Sequence, residues 1–143
     1  MYATAQDLID RFGVKEMTRL SVPGDRSAEQ PDTDVLERVI ADASSFCDGY
    51  LRARYRVPVE SPTRDLVQAV CHLARHELAN QGAVDPTQQM TESRADTIRW
   101  LEQIASNRID LGLPKAAGGE APTRGASYSG RQAKIQRDEL AGL

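Results

Sequence analysis

The side chains best suited to chemistry stand together in the run CHLARH, as Cys71, His72 and His76. In a helix the two histidines lie one turn apart on one face, a spacing that can hold a metal ion. A zinc site needs a third and usually a fourth ligand, and no HExxH or paired CxxC supplies them, because His76 is followed by Glu77 and Leu78. The expectation is therefore no metal, and two partly exposed histidines beside an apolar stripe, which leaves a hydrolase without its general base. Cys47 falls on the apolar face of its own helical pattern, where a thiolate is disfavoured. Both cysteines read as buried, reduced thiols rather than as a nucleophile or a disulfide framework. No GxGxxG, GxxxxGK[ST] or GxSxG spacing occurs, so nothing points to a nucleotide cofactor or a serine nucleophile. The residues predict neither a catalytic group nor a cofactor.

Two charged segments are better placed to bind than to react. In LRARYRVPV, Arg52, Arg54 and Arg56 alternate with Leu51, Ala53, Tyr55 and Val57. Drawn out as a strand, that alternation sends three guanidinium groups to one side; in a helix they spread apart. They serve either to satisfy the last carbonyls of a helix or to dock a carboxylate-bearing neighbour or a phosphate backbone, and the residues leave both open. The chain closes with GRQAKIQRDELAGL, where Arg131, Lys134 and Arg137 are interleaved with Ile135, Leu140 and Leu143. Such a segment is too small to fold alone and amphipathic enough to fold on a partner. Arg137, Asp138, Leu140 and Leu143 are the candidate partner-binding residues here, followed by Arg52, Arg54 and Arg56.

The elements that must carry these residues fit one domain. The chain has 143 residues, 40% of them hydrophobic, 27% charged and only 5% aromatic. A second domain has no room, and Leu, Ile and Val without many aromatics suit helix-on-helix packing better than a β-sandwich. Residues 114–143 hold seven of the seventeen Gly and Pro and carry a net +2, leaving −5 on residues 1–113 of a total of −3. This division predicts a helical body over 1–113 and a Gly/Pro-rich linker with a C-terminal arm over 114–143.

Within the body Thr4 caps a short helix that Gly13 closes, and Val14, Met17 and Leu20 continue for one or two turns. The polar stretch from Ser21 to Asp34 is long for a connection and is a candidate contact loop. After Asp32 and Thr33 a long helix carries Leu36, Val39, Ile40, Ala43, Phe46, Cys47, Tyr50 and Leu51 on one face, and Val57-Pro58 stops it. Thr63 opens a helix with Leu66, Val67, Ala69, Val70, Leu73, Ala74 and Leu78 inward, up to Gly82. The last helix runs from about Pro86 to Asn107, with Met90, Ile98, Leu101, Ile104 and Ala105 inward and Trp100 at the bundle edge. IDLGLP then leaves as a short extended exit. The fold class is all-α, a small bundle of four to five helices with an extended C-terminal arm. No run approaches the roughly 18–20 apolar residues of a membrane span, and the start lacks a signal-peptide layout, so a cytoplasmic protein is expected.

In this order, MYATAQDLIDRFG, VLERVIADASSFCDGYLRARYRVPV, DLVQAVCHLARHEL, RWLEQIASNRIDLGL and RDELAGL resemble the Mu-like prophage family of head-tail connector or head-completion proteins. The likeness spans nearly the whole chain and weakens over the Ser21–Asp34 loop and from Pro114 to Gly130. It implies a virion protein of the phage neck, found in the host cytoplasm during assembly and without catalytic activity. It further implies a homo-oligomeric ring, of twelve copies, between the portal protein and the next neck or tail component, a stopper or tail terminator. DNA would then be passing cargo, for which an acidic body is suited because it does not hold phosphates. The competing reading is a helical DNA-binding regulator. The connection VPVESPT is long for a helix-turn-helix, and RDLVQAVCHLARHEL is poor in base-reading side chains.

Overall fold

The first free amides of four helices are taken up by a short polar side chain, which fixes where each begins. Thr4 Oγ1 accepts from the Asp7 amide at 3.1 Å while the Asp7 carboxylate accepts from the Thr4 amide at 2.8 Å, a complete capping box. Asp32 accepts from the amides of Asp34 and Val35, Thr63 from Leu66 and Thr87 from Met90. The computed structural model describes residues 1–82 and 84–116. These form α1 (Ala5–Phe12), α2 (Val14–Ser21), α3 (Thr33–Leu51), α4 (Arg64–Gln81) and α5 (Gln88–Ala105). Gly13 joins α1 to α2 at φ 94°, a conformation disfavoured for any residue with a Cβ.

The chain is all-α, as expected, and its layers follow from which stripes are apolar. α3 and α4 lie along each other at the centre, α5 packs on both, and α1 and α2 pack on them without touching α5. Leu36, Val39, Ile40, Cys47 and Leu51 of α3 meet Leu66, Val70, Cys71, Ala74 and Leu78 of α4 and Leu101 and Ile104 of α5, all but sealed from solvent. A large aliphatic side chain buried this way contributes roughly 1.5–3 kcal/mol. Across the other interface Arg75 of α4 forms a bidentate ion pair with Glu16 of α2, at 2.5 and 3.0 Å, and lies 4.4 Å over the Phe12 ring. The N-terminus is held as well: the Tyr2 amide donates to Ser44 Oγ, and the Tyr2 hydroxyl donates to Asp48 and accepts from the Val59 amide.

Several expected inward positions are different. Phe46 is 39% exposed and stacks at its edge on Tyr50, with ring centroids 5.4 Å apart, while Ser44 takes a buried place on the same helix. Val67, Ile98 and Ala105 are only half-buried, and Thr97 is buried in α5, its hydroxyl donating to the Ser93 carbonyl at 2.8 Å. α3 ends at Leu51, well before Val57-Pro58, because the amides of Arg54 and Tyr55 both turn back to the Leu51 carbonyl. α5 is two residues shorter at each end than expected, capped by Thr87 and closed by Asn107 at φ 68°. Trp100 sits half-buried at the edge, where it was expected. Among the described residues no helix is long and apolar enough to cross a membrane.

Candidate functional site

The end of α3 and the exit from α5 build one clamp from residues far apart in the chain. A helix leaves its last four carbonyls without partners. Arg54 supplies donors for that end of α5: its Nη1 donates to the Ile104 carbonyl at 3.0 Å and to the Ile109 carbonyl at 3.1 Å. The guanidinium also lies 5.1 Å over the Tyr55 ring. Tyr55 is 1% exposed; its hydroxyl donates to Asp110 at 3.1 Å and accepts from the Leu111 amide at 2.8 Å. Asp110 also accepts from the Gly112 amide at 2.8 Å and from Lys115 at 3.3 Å. The Gly112 amide, with Tyr55 and Lys115 behind it, outweighs partial burial and holds the Asp110 carboxyl below the usual range.

This clamp fixes the chain where it leaves the bundle. Tyr55 and Lys115 form an antiparallel bridge, the Arg56 amide donating to the Pro114 carbonyl at 3.0 Å and the Ala116 amide to the Arg54 carbonyl at 3.1 Å. The body therefore holds residues 114–116, the start of the segment assigned to the arm. Of the three candidate arginines, Arg54 is spent on carbonyls and Arg52, just past the end of α3, donates its Nε to the Asp48 carbonyl at 3.2 Å. Arg56 is exposed and borders a groove of about 140 Å³ with Pro58, Glu60 and Leu113. The alternation expected of LRARYRV holds only from Tyr55 onward, because residues 52–54 form a turn. Arg137, Asp138, Leu140 and Leu143 lie outside the described residues.

Replacing Arg54 by alanine should lower the unfolding free energy by about 2 kcal/mol, since two charge-assisted bonds to backbone carbonyls are lost. Arg52→Ala and Arg56→Ala should stay within about 0.5 kcal/mol of the parent. Urea unfolding of the three variants checks this, and equal effects at all three positions would rule out the clamp.

The positions able to do chemistry are not arranged for it. His72 and His76 are half-buried on one face of α4. Burial first, then Arg75 and Arg11, lowers the His72 pKa; burial and Arg94 lower that of His76. Among the described residues no three His, Cys, Asp or Glu side chains gather as a metal site. The Cys47 thiol is pushed up to about 12 by burial with help from Asp48, and burial takes Cys71 to about 11. The groove beside His72, about 300 Å³ between α4 and α5, is lined by Asp65, Gln68, Ser93, Asp96 and Trp100. No cysteine or serine is hydrogen-bonded to a histidine among the described residues.

The sequence did not reveal two apolar surface features. The loop after α2, expected to make contacts, closes a groove of about 960 Å³ with α2 and Val84. On α3, the exposed Phe46 packs on the half-buried Tyr50 to form an aromatic ridge. At 100° per residue Phe46 stands roughly a quarter turn from the midline of Leu36, Val39, Ile40, Ala43 and Cys47, and that angle was the available signal.

The chain is 38% identical over 113 residues to Gene product J of Escherichia phage Mu, a match that spans 78% of this chain and 77% of that protein. It is 34% identical over 114 residues to the Mu-like prophage FluMu protein gp36 of Haemophilus influenzae, spanning 79% and 77%. The family described as Bacteriophage Mu, Gp36 matches residues 2–129, the helical body and part of the Gly/Pro-rich segment after it. A family match over most of the chain and two relatives above 30% identity place it: the chain belongs to the Bacteriophage Mu Gp36 family.

Proposed function

We propose that the protein is a structural, non-enzymatic component of the phage neck, a head-tail connector or head-completion protein. In this reading copies form a ring between the portal protein and the next neck or tail component, a stopper or tail terminator, and DNA passes through as cargo. The single observation that carries it is the clamp at the exit of α5. Arg54 and Tyr55 fix Pro114–Ala116 on the body, so that the basic, amphipathic residues beyond start from a rigid anchor. An anchored arm reaches a neighbour at a high effective concentration, which suits assembly and serves no catalytic purpose. The net −5 of residues 1–113 supports the same reading, since a wall that repels phosphate lets a duplex slide.

The test removes residues 131–143. The truncated chain should keep its helical circular dichroism and urea midpoint, and heads assembled with it should fail to join tails. If truncated protein completes infectious particles as well as the full chain, the arm has no part in joining. A salt-dependent shift of duplex DNA by micromolar full-length protein would favour the regulator instead.

A further inference from the structure

The groove beside α2 and the ridge on α3 differ in shape and in the charge around them, and their linings share no residue. Val14 and Val84, each 41% exposed, flank the groove, and Val22 and Ala28 extend its apolar wall. Thr18, 6% exposed and in the same lining, has a hydroxyl with no hydrogen-bond partner. An open apolar concavity of about 960 Å³ around an orphaned hydroxyl is a surface short of its occupant.

The rim defines what would fit. Lys15, Arg19 and Arg26 border the groove and have no ion-pair partner among the described residues. Of the acids there, Glu16 is tied to Arg75 and Asp25 accepts from Ser27, leaving Glu29. The occupant should therefore present an apolar or aromatic knob flanked by carboxylates.

The chain carries such a knob itself. Phe46, 39% exposed and packed on Tyr50, is bordered by Asp42 and Glu77, with the Arg94 guanidinium 6.0 Å over its ring. Arg94 belongs to α5, whereas the groove belongs to α2, and α2 and α5 pack on the central α3–α4 pair without touching each other. The linings of groove and ridge share no residue, so the two are separate patches, as a head-to-tail contact requires.

We propose that the groove of α2, the loop after it and Val84 receives the Phe46–Tyr50 ridge of a second copy of this chain. Phe46 enters the apolar concavity, and Asp42 and Glu77 face Lys15, Arg19 and Arg26. The contact is heterologous, so each copy gives its ridge to one neighbour and its groove to the other. This names the subunit contact of the ring proposed above and rests on that reading only for the closure of the chain of contacts.

Val84→Cys and Gly49→Cys variants of the full chain, treated with a short bismaleimide, test it, since position 49 lies one turn from Phe46 in open space and leaves the ring in place. Mixed together they should give at least about tenfold more covalent dimer than either alone, because only in the mixture does docking hold a groove thiol and a ridge thiol at high effective concentration. The double variant should give a ladder of trimers and larger species. Arg19→Glu should weaken the mixed dimer and Asp42→Arg in the partner should restore it. As much dimer from either variant alone as from the mixture, or no ladder from the double variant, overturns the contact. The same ladder sought in purified particles separates the two ideas. The chain present there without a ladder sinks this contact and leaves the neck reading. A ladder in solution from a chain absent from particles does the reverse.

Discussion

Replacing Tyr55 by alanine should remove about 3–5 kcal/mol from the unfolding free energy, the range for deleting a buried aromatic ring. The ring is 1% exposed and supports two other groups, the Arg54 guanidinium and Lys115, at 5.1 and 4.6 Å from its centroid. Its hydroxyl gathers Asp110 and the Leu111 amide. The loss is a large fraction of the roughly 5–15 kcal/mol that holds a domain of this size. Tyr55→Phe keeps the ring and leaves the Leu111 amide unpaired, so about 1–2 kcal/mol is expected there. Urea midpoints give the energies, and amide hydrogen exchange at Arg56, Leu111 and Ala116 reports the exit strand. In the alanine variant those amides should exchange much faster than the centre of α4. A Tyr55→Ala protein within about 1 kcal/mol of the parent, or one with unchanged exchange at the exit, would show that the clamp does not hold the arm's root.

The helices were legible because their signals are local. Thr4, Thr63 and Thr87 cap with an amide three residues on, and Asp32 does so within the next turn, so each start is written in a few adjacent residues. The α3 stripe is legible from its period alone. The use of Arg54 was not, because its partners are carbonyls of Ile104 and Ile109, and a backbone carbonyl has no signature in the sequence. Of the two readings offered for the three arginines, satisfaction of carbonyls holds for Arg52 and Arg54, while Arg56 is exposed. The pairing of Tyr55 with Lys115 was hidden for the same reason, since a single bridge gives no alternating run to find. Phe46 was misplaced because hydrophobicity was counted and angle was not. A bundle face is narrower than the set of apolar residues on a helix, and those left at its edge become surface. The groove of α2 needed the tertiary structure outright, as its wall joins a helix, a loop and Val84.

Alkaline pH should unfold the protein well before its backbone or arginines titrate, and the two thiols should be the reason. Cys47 and Cys71 are both 0% exposed, and burial raises them from 9.0 to about 12 and about 11. In the unfolded chain both ionise near 9. Between about pH 9 and 11 the unfolded state has therefore released protons that the folded state still binds, so stability falls as pH rises and is unaffected by these groups below about pH 8. The slope is on the order of 1 kcal/mol per pH unit for each thiol, and two units consume several kcal/mol of a roughly 5–15 kcal/mol total. Tyr2, raised from 10.0 to about 12 by burial and then by its bond to Asp48, acts with the same sign above pH 10. Urea midpoints measured from about pH 7 to 11 should be flat at first and then fall, and iodoacetamide should label the thiols only as the helical signal is lost. Cys47→Ala with Cys71→Ala gives up some packing at every pH but removes both protons from the balance, so its alkaline limb should flatten. The same steep limb without the cysteines, or rapid labelling of the folded chain at about pH 8, would mean that the bundle does not seal its thiols.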